Sequence, residues 1–325
     1  MIQIVPYVRM HRAGLAPPGR PVGVFLLLGP TGTGKTWTVE ALAETLHGSE
    51  RNLLRVDCGE YQLEHEVAKL VGAPPGYLGH RETQPAVTQQ KLNSATSEAS
   101  NLSLVLFDEI EKAAPSMTRL LLGVLDKATL RLGDNTQVNF ERSMIFLTSN
   151  LGAEAMRKLA VPNFGFEVLT PSAGPRATLA KLEKIGMGAV KRRFSPEFVN
   201  RIDAVVTYQP LGRESLELIL DQQIANLNRH IRERLAEEVF HVELSSDARE
   251  LLLDKGTSAE FGARELKRTI LRLLTQPLSG LVELGQVPPD SVVRASRSGD
   301  ALVLTVIPSG RHPPNSVDTL GSELL

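Results

Sequence analysis

The first strong pattern in the chain is an unbroken apolar run at 24–28 (VFLLL) that stops at a glycine-rich loop. A run without polar alternation marks a strand buried on both faces, as in a parallel sheet. From Lys35 the spacing changes, and Val39, Leu42, Ala43 and Leu46 recur at helical intervals. Further apolar runs predict strands at 53–56, 104–107, 144–147 and 204–208. Short strands alternating with helices predict an α/β fold, a parallel five-stranded sheet flanked by helices.

After Pro210 the pattern becomes mainly helical. Residues 213–235 form a long amphipathic stretch, and 239–244 alternate like a strand. Ser245 or Ser246 is placed to cap the helix that follows. Another helix is predicted over about 263–284, and a strand at 301–307. The expected organisation is a large domain at 1–209 and a smaller, mainly helical α+β domain at 210–308, hinged in the loop from Gln209 to Gly212. The remainder, 309–325, is rich in Pro, Ser and Gly and is expected to be a disordered tail.

Composition narrows the function. The 325 residues carry a formal net charge of −1, with no basic excess to suggest nucleic acid and no polybasic run to suggest a membrane surface. No apolar run approaches the roughly 18–20 residues needed to span a bilayer. Cys58 is the single cysteine, so no internal disulfide framework exists. With no secretory leader read ahead of the first strand, a cytoplasmic protein is expected. The histidines are scattered, and no zinc spacing is found.

The chemistry begins where the first strand ends. Gly29-Pro30-Thr31-Gly32-Thr33-Gly34-Lys35-Thr36 matches G-x-x-x-x-G-K-[ST], between a buried strand and a helix start. Glycines let successive N–H groups and the helix N-terminus converge on phosphates. Lys35 can reach the β- and γ-phosphates of ATP, and the Thr36 hydroxyl can ligate Mg²⁺. A chance glycine-rich turn is the plain alternative, but a second motif counts against it. Asp108 and Glu109 end the strand at 104–107. In that place Asp108 can hold Mg²⁺ through water, and Glu109 can orient or deprotonate the attacking water. Two acids after a strand are often only a solvated strand end, so this assignment depends on the phosphate loop.

Several longer strings carry a family resemblance. Residues 12–46 (RAGLAPPGRPVGVFLLLGPTGTGKT…ALAETL), 107–113 (FDEIEKA), 146–152 (FLTSNLG), 194–202 (FSPEFVNRI) and 260–269 (EFGARELKRT) resemble the Clp/ClpB family of AAA+ ATPases. The similarity runs in order from about residue 8 to about residue 296 and is to the second ATPase module with its small C-terminal domain. It implies a P-loop AAA+ fold, ATP and Mg²⁺ as cofactors, and a ring-forming homo-oligomer, six subunits in the family. It also implies polypeptide substrates threaded by moving pore loops.

The resemblance implies further roles, residue by residue. Asn150 is similar to sensor 1, Arg201 to the arginine finger that enters a neighbouring subunit's site, and Arg264 to sensor 2. Tyr77, in Gly76-Tyr77-Leu78-Gly79, resembles the pore-loop aromatic that grips substrate. The plainer readings are a surface salt bridge for Arg201, a solvated basic helix face shared with Lys267, Arg268 and Arg272 for Arg264, and local packing for Tyr77. Phe164-Gly165-Phe166 is similar to the tripeptide by which protease-linked Clp ATPases dock on a Clp-type peptidase, or is a loop that packs locally. Trp37 stands where the family usually has an acid, and no mechanism accounts for it.

The expectation is an ATP-dependent unfoldase or chaperone ring. A remodelling ATPase dedicated to one complex would carry the same motifs and stays open. A nucleic-acid motor on the same core would need a basic channel, which the near-neutral charge argues against.

Overall fold

The computed structural model describes residues 3–72, 84–160, 175–235, 239–257 and 262–308. Its strands in chain order are β1 (Gly23–Leu28), β2 (Leu54–Asp57), β3 (Ser103–Asp108), β4 (Thr129–Arg131), β5 (Gln137–Asn139), β6 (Ser143–Ser149) and β7 (Ala204–Thr207). Five of them form a sheet in the order β2-β3-β6-β1-β7, every neighbouring pair parallel. The crossovers put helices on both faces, which is why β1, β3 and β6 have no exposed residue.

Side chains in those strands alternate between two cores. Val24, Leu26 and Leu28 join Val105, Phe107, Ile145 and Leu147 on one face. Phe25 and Leu27 join Leu104, Leu106, Met144 and Phe146 on the other. The helix Lys35–His47 covers the second face with Val39, Leu42, Ala43 and Leu46, the helical spacing read in the sequence. The helix Pro115–Lys127 covers the first with Met117, Leu121 and Val124. Phe25 stacks on Phe146 at 5.2 Å between centroids, and Tyr7 meets Phe25 edge-on at 5.0 Å.

β4 and β5 pair as a short antiparallel hairpin that the sequence pattern did not predict, three residues per strand being too few to show alternation. The helix Val5–Arg12 was also not predicted.

The described residues from Leu211 onward pack as a second compact unit. Its sheet has the order β10-β9-β8, from β8 (His241–Leu244), β9 (Val292–Ser298) and β10 (Ala301–Ile307). Leu216, Leu220, Ile231, Leu252, Leu266 and Val293 are among its core. Asn228 in the helix Arg213–Arg234 is buried and pairs with an edge of β8: its Nδ2 donates to the Val242 carbonyl at 3.0 Å and its Oδ1 accepts from the Val242 N–H at 2.8 Å.

Of the two candidate serines, Ser245 is the cap, its hydroxyl accepting from the Ala248 N–H. The helix expected over 263–284 is not continuous. An α-helix Ala263–Ile270 passes through a π-turn Leu271–Thr275 into a second α-helix Gln276–Glu283. Pro277 has no N–H to return to the preceding turn, so the ladder widens there. β9 was missed because Arg294, Ser296 and Arg297 break its apolar run, only Val293 and Ala295 being buried.

Candidate active site

The phosphate loop leaves the C-terminal end of β1 under a close constraint. Gly29 has φ +154°, and a Cβ there would lie 2.6 Å from the Tyr208 carbonyl oxygen and 2.8 Å from the Tyr208 Cβ. Only glycine fits. Gly32 and Gly34 also have positive φ, at 74° and 96°. Gly34 is the N-cap of the helix Lys35–His47 and offers no side-chain cap. The first-turn N–H groups of that helix therefore have no side-chain acceptor of the usual kind, a setting that suits an anion.

Lys35 is buried, and its ammonium donates to the carbonyls of Gly29 and Pro30 and to Asn150 Oδ1, each at 2.8 Å. Thr33 closes the loop by donating to the Pro30 carbonyl at 2.8 Å. Thr31 donates to the same Asn150 oxygen at 3.4 Å. Tyr208 donates to the Thr38 hydroxyl at 2.6 Å, and burial pushes its phenol up from the usual range.

Asp108 ends β3 and is buried. Its Oδ1 accepts from the Thr148 hydroxyl and, at 3.4 Å, from the Thr36 hydroxyl. Its Oδ2 takes the Arg55 guanidinium at 2.5 Å. Thr148 serves both acids, because its hydroxyl also accepts the N–H of Glu109 at 2.9 Å. That bond helps hold Glu109 at φ +56°, a left-handed conformation uncommon outside glycine. The turn so made aims the carboxylate back over the strand ends. Glu109 Oε1 accepts from Asn150 Nδ2 at 3.2 Å, and Oε2 pairs with Lys112 at 2.5 Å. The hydrogen bond to Glu109, and then its charge, hold the Lys112 ammonium above its usual range.

Asn150, just beyond β6, thus joins the two motifs. Its side chain links Lys35 to Glu109, and its N–H donates to Glu111 Oε1 at 3.0 Å. The parallel order β3-β6-β1 is what makes this possible, since it sets the ends of β1, β3 and β6 side by side.

Lys35, Thr36, Asp108, Glu109 and Asn150 therefore stand in one connected cluster. Arg201 is placed elsewhere on the large unit, paired with Asp126 at 3.1 Å, and both side chains are partly exposed. Arg264 is exposed on the helix Ala263–Ile270 of the second unit. Tyr77 and the tripeptide Phe164, Gly165, Phe166 lie outside the described residues, as does the expected tail. Trp37 is exposed.

Sequence reasoning missed four contributors: Arg55, Thr148, Glu111 and Lys112. A polar Thr148 near the end of the fully buried strand β6 is a signal that could have been used, as is a charged Arg55 inside the short strand β2. Glu111 and Lys112 lay in the FDEIEKA string without a role.

The donor set fits Mg²⁺ bound with a nucleotide. Thr36 and Asp108 offer hard oxygens within 3.4 Å of each other beside the phosphate loop. Among the described residues no group of three or more His, Cys, Asp or Glu could hold a metal ion on its own. Among them, too, no helix is long and apolar enough to cross a membrane.

Known proteins agree with this geometry. Residues 20–205 match the family model described as AAA domain (Cdc48 subfamily), and residues 211–295 match the C-terminal, D2-small domain, of ClpB protein. The chain is 39% identical over 287 residues to the chaperone protein ClpB of Meiothermus ruber, covering 88% of this chain and 31% of that protein. It is 40% identical over 280 residues to ClpB of Aquifex aeolicus, covering 86% and 26%. Among solved structures, the S. cerevisiae Hsp104:casein complex in its extended conformation aligns with TM-score 0.76 at 29% identity, over 94% of this chain and 48% of that one. A closed-state reconstruction of Hsp104 with ATPγS and FITC-casein aligns with TM-score 0.74 at 29% identity, over 93% and 48%. The chain thus spans about a third of the ClpB relatives and about half of the Hsp104 chains. A phosphate loop, paired acids and a bridging Asn150 on a parallel sheet, with these matches in order along the sequence, establish that the chain belongs to the AAA+ ATPase family and combines an AAA domain with the small domain of the second ClpB module.

Proposed function

We propose that this chain is an ATP-hydrolysing motor module that assembles with copies of itself into a ring and threads polypeptide through it. The observation that carries the reading is the Asn150 bridge between Lys35 and Glu109, which ties phosphate binding to the residue that would activate water. Similarity to ClpB proteins, and to Hsp104 structures that contain casein, supports the substrate class.

In this reading Gly29, Pro30, Thr31, Gly32, Thr33 and Gly34 present backbone N–H groups to the phosphates. Lys35 exchanges its bonds to the Gly29 and Pro30 carbonyls for phosphoryl oxygens. Thr36 and Asp108 would hold Mg²⁺, which would supply positive charge to offset that of the phosphates. Arg55 and Thr148 hold the Asp108 carboxylate in place. Glu109 accepts the proton of the attacking water at its carboxylate, which Asn150 orients. Arg201 enters the neighbour's site, where a permanently charged planar donor stabilises developing charge. Arg264 takes the sensor 2 role that the family resemblance gives it, and Tyr77 grips the polypeptide with an aromatic surface.

The test is the ATPase rate with and without casein, repeated in Tyr77→Ala. Stimulation by casein that disappears in Tyr77→Ala, with basal turnover spared, is the expected result. A rate indifferent to casein would favour a remodelling ATPase dedicated to one complex. Only the Phe164-Gly165-Phe166 string speaks for a peptidase partner.

A further inference from the structure

We propose that Arg193 is a positioning residue that couples the catalytic turn of one subunit to the arginine finger the same subunit presents to its neighbour. The inference rests on the reading of Arg201 as a trans-acting finger.

The short turn Ile110–Lys112 follows Glu109 directly and has attachments in three directions. Towards the site it carries the Glu109 carboxylate, clamped by Lys112. Sideways, Glu111 Oε1 accepts the N–H of Asn150 at 3.0 Å. On its outer side Arg193 grips it with a fork: Nε and Nη2 donate to the Glu111 carbonyl at 3.1 and 2.8 Å, and Nη2 also donates to the Ala113 carbonyl at 3.2 Å. These are charge-assisted bonds to main-chain atoms, so they follow the turn itself and not a mobile side chain.

Arg193 is also the last residue of the helix Pro175–Arg193, and no slack separates it from Arg201. Phe194 follows it, buried and stacked on Phe198 with centroids 5.0 Å apart. Ser195 caps the helix Pro196–Val199 by accepting from the Phe198 N–H, and the Arg201 N–H donates to the Phe198 carbonyl at 3.1 Å. A shift of the turn when Glu109 and Asn150 engage the γ-phosphate would therefore pull on Arg193 and re-aim Arg201. The planar guanidinium brings two nitrogens, Nε and Nη2, to the one Glu111 carbonyl, a fork that the single nitrogen of a lysine cannot form.

The experiment uses mixed assemblies of the full chain. Wild-type subunits are doped with one of three partners: Glu109→Gln, Glu109→Gln with Arg193→Ala, or Glu109→Gln with Arg201→Ala. ATP turnover is measured per wild-type subunit. Each dopant has a silent site, so a further loss of turnover in its neighbours reports on the finger it offers them. Binding to the dopant's own site is read on assemblies of the dopant alone, from the fluorescence of Trp37, the single tryptophan of the chain, which sits in the phosphate-loop helix.

The proposal predicts that the Arg193 dopant lowers its neighbours' turnover about tenfold beyond Glu109→Gln alone, approaching the Arg201 dopant, since misplacement of about 1 Å costs up to about 10²-fold. Its own nucleotide affinity should stay within about twofold. Arg193→Lys, which keeps the charge and tests against a folding defect, should reproduce most of the loss. The proposal is overturned if the Arg193 dopant behaves as Glu109→Gln alone, or if its own nucleotide affinity falls as far as its neighbours' turnover. If the Arg201 dopant also behaves as Glu109→Gln alone, the finger assignment itself is overturned.

Discussion

Asn150 Oδ1 accepts a hydrogen bond from the Lys35 ammonium at 2.8 Å, so a residue beyond β6 is held against the one that opens the phosphate-loop helix. The same amide donates to Glu109 at 3.2 Å, and its orientation is fixed by needing an acceptor on one side and a donor on the other. Asn150→Ala removes both contacts while leaving the N–H bond to Glu111. Turnover should fall by about 10²-fold, the scale of losing one preorganised donor, with nucleotide affinity reduced far less. Parallel kcat and Trp37 fluorescence titrations check the split; an equal loss in both would mean that Asn150 serves binding alone.

Glu109→Gln should still bind ATP and lose at least about 10²-fold in turnover, in line with removal of a general base. The same change releases Lys112. Glu109 raises the Lys112 pKa, so the pair's stabilisation is fully present below the ordinary lysine range and is lost as pH rises through the raised value. Urea unfolding should show a constant difference between wild type and Glu109→Gln from neutral pH to about pH 10, shrinking above it. The difference should be below about 1 kcal/mol, since nearly half of the Lys112 side chain is exposed. A difference that grows with rising pH would contradict the pairing.

Two glycine substitutions should have opposite signs. Gly29→Ala forces a Cβ to within 2.6 Å of the Tyr208 carbonyl, so the loop must shift and nucleotide affinity should drop at least about tenfold. Gly280 lies within the helix Gln276–Glu283 with open space around it, and Gly280→Ala should stabilise the chain by about 0.5–1 kcal/mol. Thermal unfolding with and without nucleotide measures both.

Cys58 is fully buried just after β2, and burial pushes its thiol well above the usual range. It should resist thiol reagents at neutral pH until the large unit unfolds. Rapid labelling of the native chain would contradict its place in the core.

What was legible in the sequence follows from physics that acts locally. The runs that became β1, β3 and β6 could be read because burial on both faces leaves no polar residue in them. The phosphate loop was legible because its glycines and Lys35 must stand at fixed spacing. Arg55, Thr148 and Glu111 were not, because their roles arise only when strand order brings β2 and β6 to either side of β3. The π-turn at Leu271–Thr275 was hidden for a different reason: the apolar spacing around Pro277 continues as though the helix did.

In the proposed ring each site is completed by a neighbour's Arg201. The direct measurement is ATPase rate per subunit against protein concentration, for wild type and Arg201→Ala. The expected result is a wild-type rate that climbs with assembly and saturates, and an Arg201→Ala rate that stays low, by about 10³-fold or more, even where assembly is complete. A per-subunit rate independent of concentration, or an Arg201→Ala chain that matches wild type once assembled, would contradict it.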